Sequence, residues 1–172
     1  MNTSAPSLIL QIGIVVASVD AAVENYATFL GITDWNINYV DTNHGKGRNF
    51  RVGGKEVAVK AKIAWANIGD IELELIEPQD DTSIYAEYLR SNGPGVHHLM
   101  FGTHDYQHSV DKMHRYGVES FVTGELQATE FQLFDTQQML GTICEFATGD
   151  PLVPDEAARN CAETAVTTVD ES

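Results

Sequence analysis

Two stretches of this chain follow one plan. "QIGIVVASVDAAVENYATFLGI" occupies 11–32 and "HLMFGTHDYQHSVDKMHRYGV" occupies 98–118. Each opens on a polar residue, runs on as an apolar strand, passes a polar turn carrying Asp and enters an amphipathic helix. Each helix stops at a glycine, Gly31 or Gly117, the usual residue just beyond a helix. In the first helix Ala22, Tyr26, Phe29 and Leu30 read as the apolar stripe. Strand-like segments follow both: "DWNINYV", "KEVAVKAKIAW" and "DIELELIEP", then "ESFVT", "ATEFQLFD" and "GTICEFA". A duplicated β-α-β-β-β unit decides the fold class before composition does. The expectation is an α+β fold, two repeated βαβββ modules forming one curved mixed sheet around a cavity.

The first module spans 1–78 and the second 96–148. Between them, 79–95 holds a short helix near 83–91 and a Gly-Pro-Gly breaker. From Gly149 an acidic tail, 149–172, carries two prolines; a short helix is expected near "PDEAARNCAE" and a frayed end beyond it. No apolar run approaches the roughly 18 residues of a membrane span. The first residues lack a basic region and a small-residue cleavage site. Cys144 and Cys161 form no metal-like or redox spacing. These features read as a reduced, cytoplasmic protein with Cys144 as a small buried hydrophobe. A net charge of −15 argues against nucleic acid and anionic membranes as partners. Six of the ten Lys and Arg residues fall between 46 and 62. That cluster is either a solvated hairpin or a positive field for an anionic substrate group.

Strand alternation locates the chemistry. In "DIELELIEP", Ile71, Leu73 and Leu75 share the core face, with Glu72 and Glu74 opposite. In "GTICEFA", Cys144 and Phe146 face the core, with Glu145 opposite; in "QIGIVV", Ile12, Ile14 and Val16 face it, with Gln11 opposite. In "HHLMF", Leu99 and Phe101 face the core and His98 lies opposite, leaving neighbouring His97 as a packed, structural histidine. The repeat therefore places Gln11 and His98 at equivalent positions of its first strands, and Glu74 and Glu145 at equivalent positions of its last. If the halves pair edge to edge, one amide, one imidazole and two carboxylates converge. That donor set suits a divalent ion: Zn, Co, Ni, Mn or Fe.

The quoted segments resemble the vicinal oxygen chelate superfamily, the glyoxalase and methylmalonyl-CoA epimerase group. "IELELIEP" and "GPGVHHLMF" look like the epimerase branch, and "LGTICEF" resembles the family's closing strand. The resemblance covers about residues 8–148. The family's metal ligands fall on Gln11, Glu74, His98 and Glu145. Many bacterial members carry histidine where this chain has Gln11; eukaryotic glyoxalase I enzymes carry glutamine there.

The resemblance implies a metal-dependent enzyme that moves a proton α to a carbonyl through a metal-stabilised enolate. The implied substrate has vicinal oxygens, with an acyl-CoA among the candidates. Glu145 is the first candidate base and Glu74 the second. Glu72 and Glu56 are further carboxylates on accessible faces. In "KEVAVKAKIAW" the reading puts Val57, Val59, Ala61, Ile63 and Trp65 on the core face. Lys60 and Lys62 then either grip a carboxylate or phosphate in the cavity or face water. Met100 shares the His98 face and either gives the cavity an apolar wall or simply packs. An epimerase, isomerase or lyase is the leading expectation. A lactoylglutathione lyase and a non-enzymatic binding protein of the bleomycin-resistance type are the alternatives. The family pattern also implies a homodimer.

Overall fold

The computed structural model describes residue 6 and residues 8–160. In chain order these form β1 (Leu8–Val15), α1 (Val19–Leu30), β2 (Asp34–Asp41), a 3-10 turn (Thr42–His44), β3 (Arg48–Val52), β4 (Lys55–Glu56), β5 (Lys60–Ile68) and β6 (Ile71–Pro78). Then come α2 (Ile84–Asn92), β7 (Gly95–Gly102), α3 (Tyr106–Arg115), β8 (Ser120–Leu126), β9 (Thr129–Phe134), α4 (Gln137–Leu140), β10 (Ile143–Thr148) and β11 (Glu156–Asn160). The duplication is visible in the local chemistry. Ser18 caps α1 by accepting from the Ala21 N–H, and Asp105 caps α3 by accepting from the His108 N–H. Gly31 and Gly117 end the two helices at φ +68° and +78°, a backbone region in which a side chain would be strained.

One mixed sheet runs β11-β2-β5-β6-β1-β7-β10-β9-β8-β3-β4. The repeats meet where β1 pairs antiparallel with β7, and each first strand also pairs parallel with the last strand of its own module, β6 or β10. Two features tie the ends together. The β3–β4 hairpin belongs to the first half by sequence but pairs with β8 of the second. The segment after β10 crosses back, and β11 adds to the outer edge of β2. The sheet therefore curls, with helices α1 and α3 on its outer face.

The outer face holds two cores. One joins Val19 and Val23 of α1 to Trp35, Ile37, Ala64, Leu73 and Leu75, and the other joins Val110 of α3 to Phe134 and Phe146. The concave face holds another, with Val40, Phe50, Ala61, Ile63 and Trp65 packed near Phe131, Tyr85 and Leu152.

Three expectations change here. The α1 stripe runs through Val19, Val23, Ala22 and Tyr26, while Phe29 and Leu30 in the last turn are 77% and 66% exposed. "KEVAVKAKIAW" breaks into β4 and β5, and β3 is an additional strand. The expected helix in the tail is replaced over 156–160 by β11, because the edge of β2 offers unpaired backbone groups to which an extended segment can bond. Residues 161–172, including Cys161, lie outside the described residues. Among the described residues, no helix is long and apolar enough to cross a membrane.

Candidate active site

Residues paired directly across a sheet point to the same face. Two rows of such pairs build the site. One row runs Trp65, Glu74, Gly13, His98, Ile143 across β5, β6, β1, β7 and β10. The next runs Asn67, Glu72, Gln11, Met100, Glu145, Leu133, ending on β9. Gln11, Glu74, His98, Glu145, Glu72 and Met100 thus share the concave face and line one cavity of ≈ 470 Å³.

At its floor His98 is 1% exposed. Its Nε2 lies 2.9 Å from Glu145 Oε2 and 3.6 Å from Glu74 Oε2. The shorter contact is an ion pair rather than an aligned hydrogen bond, because no acceptor lies along the ring N–H of this buried atom. Gln11 donates its amide N–H to Glu72 Oε1 at 2.7 Å. The ring of His98 fits only because residue 13 is glycine: a Cβ there would stand 2.1–2.6 Å from three imidazole atoms.

The electrostatics follow from burial and neighbours. Desolvation opposes a charge on His98, but the carboxylates of Glu145 and Glu74 outweigh it and hold the imidazole up to about 10. Desolvation and the positive charge on His98 push His97 down to about 3. His97 is therefore neutral. Its Nδ1, 3.0 Å from His98 Nδ1, accepts the His98 N–H and fixes His98 with Nε2 toward the cavity. His97 is held edge-on by Tyr85 and Tyr88. Burial raises the Glu72 carboxyl; the Gln11 hydrogen bond opposes the rise, and Glu74 and Glu145 add to it. Tyr85, half-buried beside Glu74 and Glu145, is raised well above the ordinary phenol value, chiefly by desolvation.

Lys60, Lys62 and Glu56 fall outside this cavity. The sequence reading had β5 inside out. Ala61, Ile63 and Trp65 line the cavity, whereas Lys62 turns to the helix side and pairs with Asp20 of α1 at 2.7 Å. Lys60 and Glu56 are exposed elsewhere. Three of the six cations in 46–62 form ion pairs: Lys62 with Asp20, Lys46 with Asp155 and Arg48 with Glu125. Tyr85 is a site residue the sequence reading passed over. The 3- and 4-residue spacing of Tyr85, Tyr88 and Leu89 marked an α2 face that packs onto the concave core.

The donor set fits a divalent cation. Three buried or half-buried carboxylates face one imidazole, so negative charge is left over, and the buried His98 Nε2 has no aligned partner. Among the described residues, no three or more His, Cys, Asp and Glu side chains are already drawn together as a metal site. His98 and Glu145 touch each other instead.

Solved structures share this architecture. The Mycobacterium tuberculosis methylmalonyl-CoA epimerase aligns with a TM-score of 0.64 at 19% identity, covering 88% of this chain and 93% of that one. A variant of the Streptomyces coelicolor methylmalonyl-CoA epimerase, in complex with 2-nitronate-propionyl-CoA, aligns with a TM-score of 0.62 at 23% identity over 86% and 100%. At such identities the likeness is one of fold. Comparison with curated proteins finds no match. The family model for the Glyoxalase/Bleomycin resistance protein/Dioxygenase superfamily matches residues 10–132, most of the chain, and the protein belongs to that superfamily.

Proposed function

We propose that this protein is a metal-dependent enzyme of the epimerase or isomerase type, moving a proton on the carbon α to a carbonyl. One observation carries the reading. Glu74 and Glu145, from repeat-equivalent strands, flank His98 Nε2 at 3.6 and 2.9 Å at the floor of a cavity with aromatic and aliphatic walls. Gln11, Glu74, His98 and Glu145 would hold a divalent ion, each carboxyl leaving it while it carries a proton, and the ion would supply Lewis-acid stabilisation of charge developing on a substrate oxygen. Glu145 takes the α proton. Glu74, approaching from the other module and carrying a proton of its own at the start of the turnover, delivers that proton to the opposite face, which inverts the carbon and leaves Glu145 protonated and Glu74 ionised. His97 holds His98 by accepting its Nδ1 N–H, which keeps Nε2 toward the cavity. Gln11 uses its N–H on Glu72, so its amide oxygen is the donor it has left to offer. The apolar walls exclude water from the exchanging proton.

The acyl-CoA esters named for the structural neighbours form one substrate class that this chemistry allows. The largely apolar lining also suits a second reading, a binding protein that sequesters a ligand without turnover. Metal content measured by mass spectrometry on untagged protein separates the two, with His98→Ala and Glu145→Gln beside it. Near-stoichiometric metal that falls in both variants supports the enzyme, together with α-deuterium exchange in D2O that Glu145→Gln abolishes. Wild-type protein that neither carries metal nor takes up zinc, cobalt, nickel, manganese or iron refutes it.

A further inference from the structure

The charge around the cavity restricts what can enter. Five carboxylates line it: Glu72, Glu74 and Glu145 deep inside, and Asp70 and Asp150 among its exposed members. Among the described side chains, no lysine or arginine lines it. Lys60, between the lining residues Val59 and Ala61, and Lys55 are exposed and do not line it, and four other nearby cations have partners. Lys62 pairs with Asp20 on the helix side, Lys46 with Asp155 and Arg48 with Glu125, and the Arg51 guanidinium donates to the Gly54 carbonyl. The walls are aromatic and aliphatic, with Phe50, Ile63, Trp65, Leu126, Phe131 and Leu152.

A CoA ester must pass its pantetheine arm through the mouth and leave a pyrophosphate and a 3′-phosphate just outside. There it would meet Asp70 and Asp150 on a chain of net charge −15. Like charges facing one another in a confined mouth oppose both encounter and binding. An apolar body without phosphate meets no such barrier, and a positive charge at its outer end is attracted.

We propose that the cavity takes an uncharged or positively charged carbonyl compound with an apolar body, and excludes phosphate-bearing CoA esters. This rests on the proton-transfer reading for what happens to the bound molecule, but not for which molecule binds.

Three lactoyl thioesters test it: lactoyl-CoA, S-lactoyl-N-acetylcysteamine and S-lactoylthiocholine. They share an α proton and two vicinal oxygens and differ in charge. Binding is read from tryptophan fluorescence. Trp65 lines the cavity, whereas the only other tryptophan, Trp35, is fully buried in the outer core, so Trp65→Phe removes the signal. The neutral and cationic esters are expected to bind about tenfold or more tighter than the CoA ester. Added salt weakens the cation and strengthens lactoyl-CoA. In Asp70→Asn/Asp150→Asn the gap between cation and CoA ester narrows.

Lactoyl-CoA binding as tightly as the neutral ester, or no Trp65 response to any of the three, overturns the proposal. The two readings fail separately. Binding in the expected order with no α-deuterium exchange sinks the proton transfer and leaves the ligand class standing. Equal exchange on lactoyl-CoA and the neutral ester sinks the ligand class and leaves the proton transfer standing.

Discussion

Replacing Gly13 with alanine isolates the feature on which the site depends. The added Cβ would stand 2.1, 2.2 and 2.6 Å from three atoms of the His98 ring, where carbon contacts ordinarily relax at about 3.5–4 Å. An overlap of about 1 Å or more on three atoms cannot be absorbed by a small rotation. The ring is 1% exposed, held at Nδ1 by His97 and at Nε2 by Glu145. Overpacking of a core costs about 1–3 kcal/mol, and pulling His98 from Glu145 breaks a buried pair, worth about 3–5 kcal/mol when one partner is lost. About 3 kcal/mol is the expected net loss. For a domain of this size that lowers Tm by about 6–12 °C.

The sign is what makes the test informative. Gly13 does not occupy the left-handed backbone region, so alanine there should otherwise stabilise by about 0.4–1 kcal/mol through the unfolded chain. In a His98→Ala background the ring is gone, and Gly13→Ala should become neutral or favourable. Urea unfolding of the four proteins closes a double-mutant cycle with an expected coupling of about 3 kcal/mol. If Gly13→Ala is as stable as wild type, or costs the same within about 0.5 kcal/mol in both backgrounds, the packing argument is wrong.

Other consequences are independent of the glycine. Lys60→Ala and Lys62→Met should leave the affinity for the lactoyl thioesters unchanged, since neither side chain lines the cavity; a several-fold loss in a fluorescence titration would put them back in the site. Phe50→Ala removes a 6%-exposed ring set edge-on to Phe131. It should cost about 3–5 kcal/mol in chemical unfolding, and a loss below about 1 kcal/mol would show that the β3–β4 hairpin contributes little to sheet closure. Asp80 is half-buried: desolvation raises its pKa, but N–H groups of Lys60, Ser83 and Thr82 outweigh this and lower it. Its contribution is therefore present above the ordinary carboxylate range and lost as pH falls through the depressed folded value. Asp80→Asn should be less stable than wild type by about 1–3 kcal/mol near neutrality, and the gap should shrink below pH ~4. A gap that stays constant down to acid pH would contradict this.

The repeat was legible because its signals are local: strand, capped helix, closing glycine. So were the concave-face positions on β1, β6, β7 and β10, since a polar residue between apolar neighbours marks the face on which it lies. β5 misled for a physical reason. Its alternate residues are Lys60 and Lys62 against Ala61, Ile63 and Trp65, and an apolar set is normally read as facing the core. Here both faces of the sheet are apolar, one against α1 and one around the cavity. Alternation gives the parity of a strand but not the side. The β3–β8 pairing and the β11–β2 addition were illegible because each joins distant segments, and nothing in either partner's own sequence encodes the match.

The duplication also shows why the two halves had to diverge. Gln11 and His98 are equivalent, and so are Glu74 and Glu145. Two residues further on, the equivalent positions are Gly13 and Met100. A symmetric pair of large residues there would fill the junction of β1 and β7. Glycine on β1 removes a side chain directly opposite His98, which lets the imidazole lie over the β1 backbone toward Glu74 of the first module while it contacts Glu145 of its own. Symmetry brings the carboxylates to matching places, and one broken equivalence lets a single histidine stand between them. The site is thus a property of the junction, and neither module could form it alone.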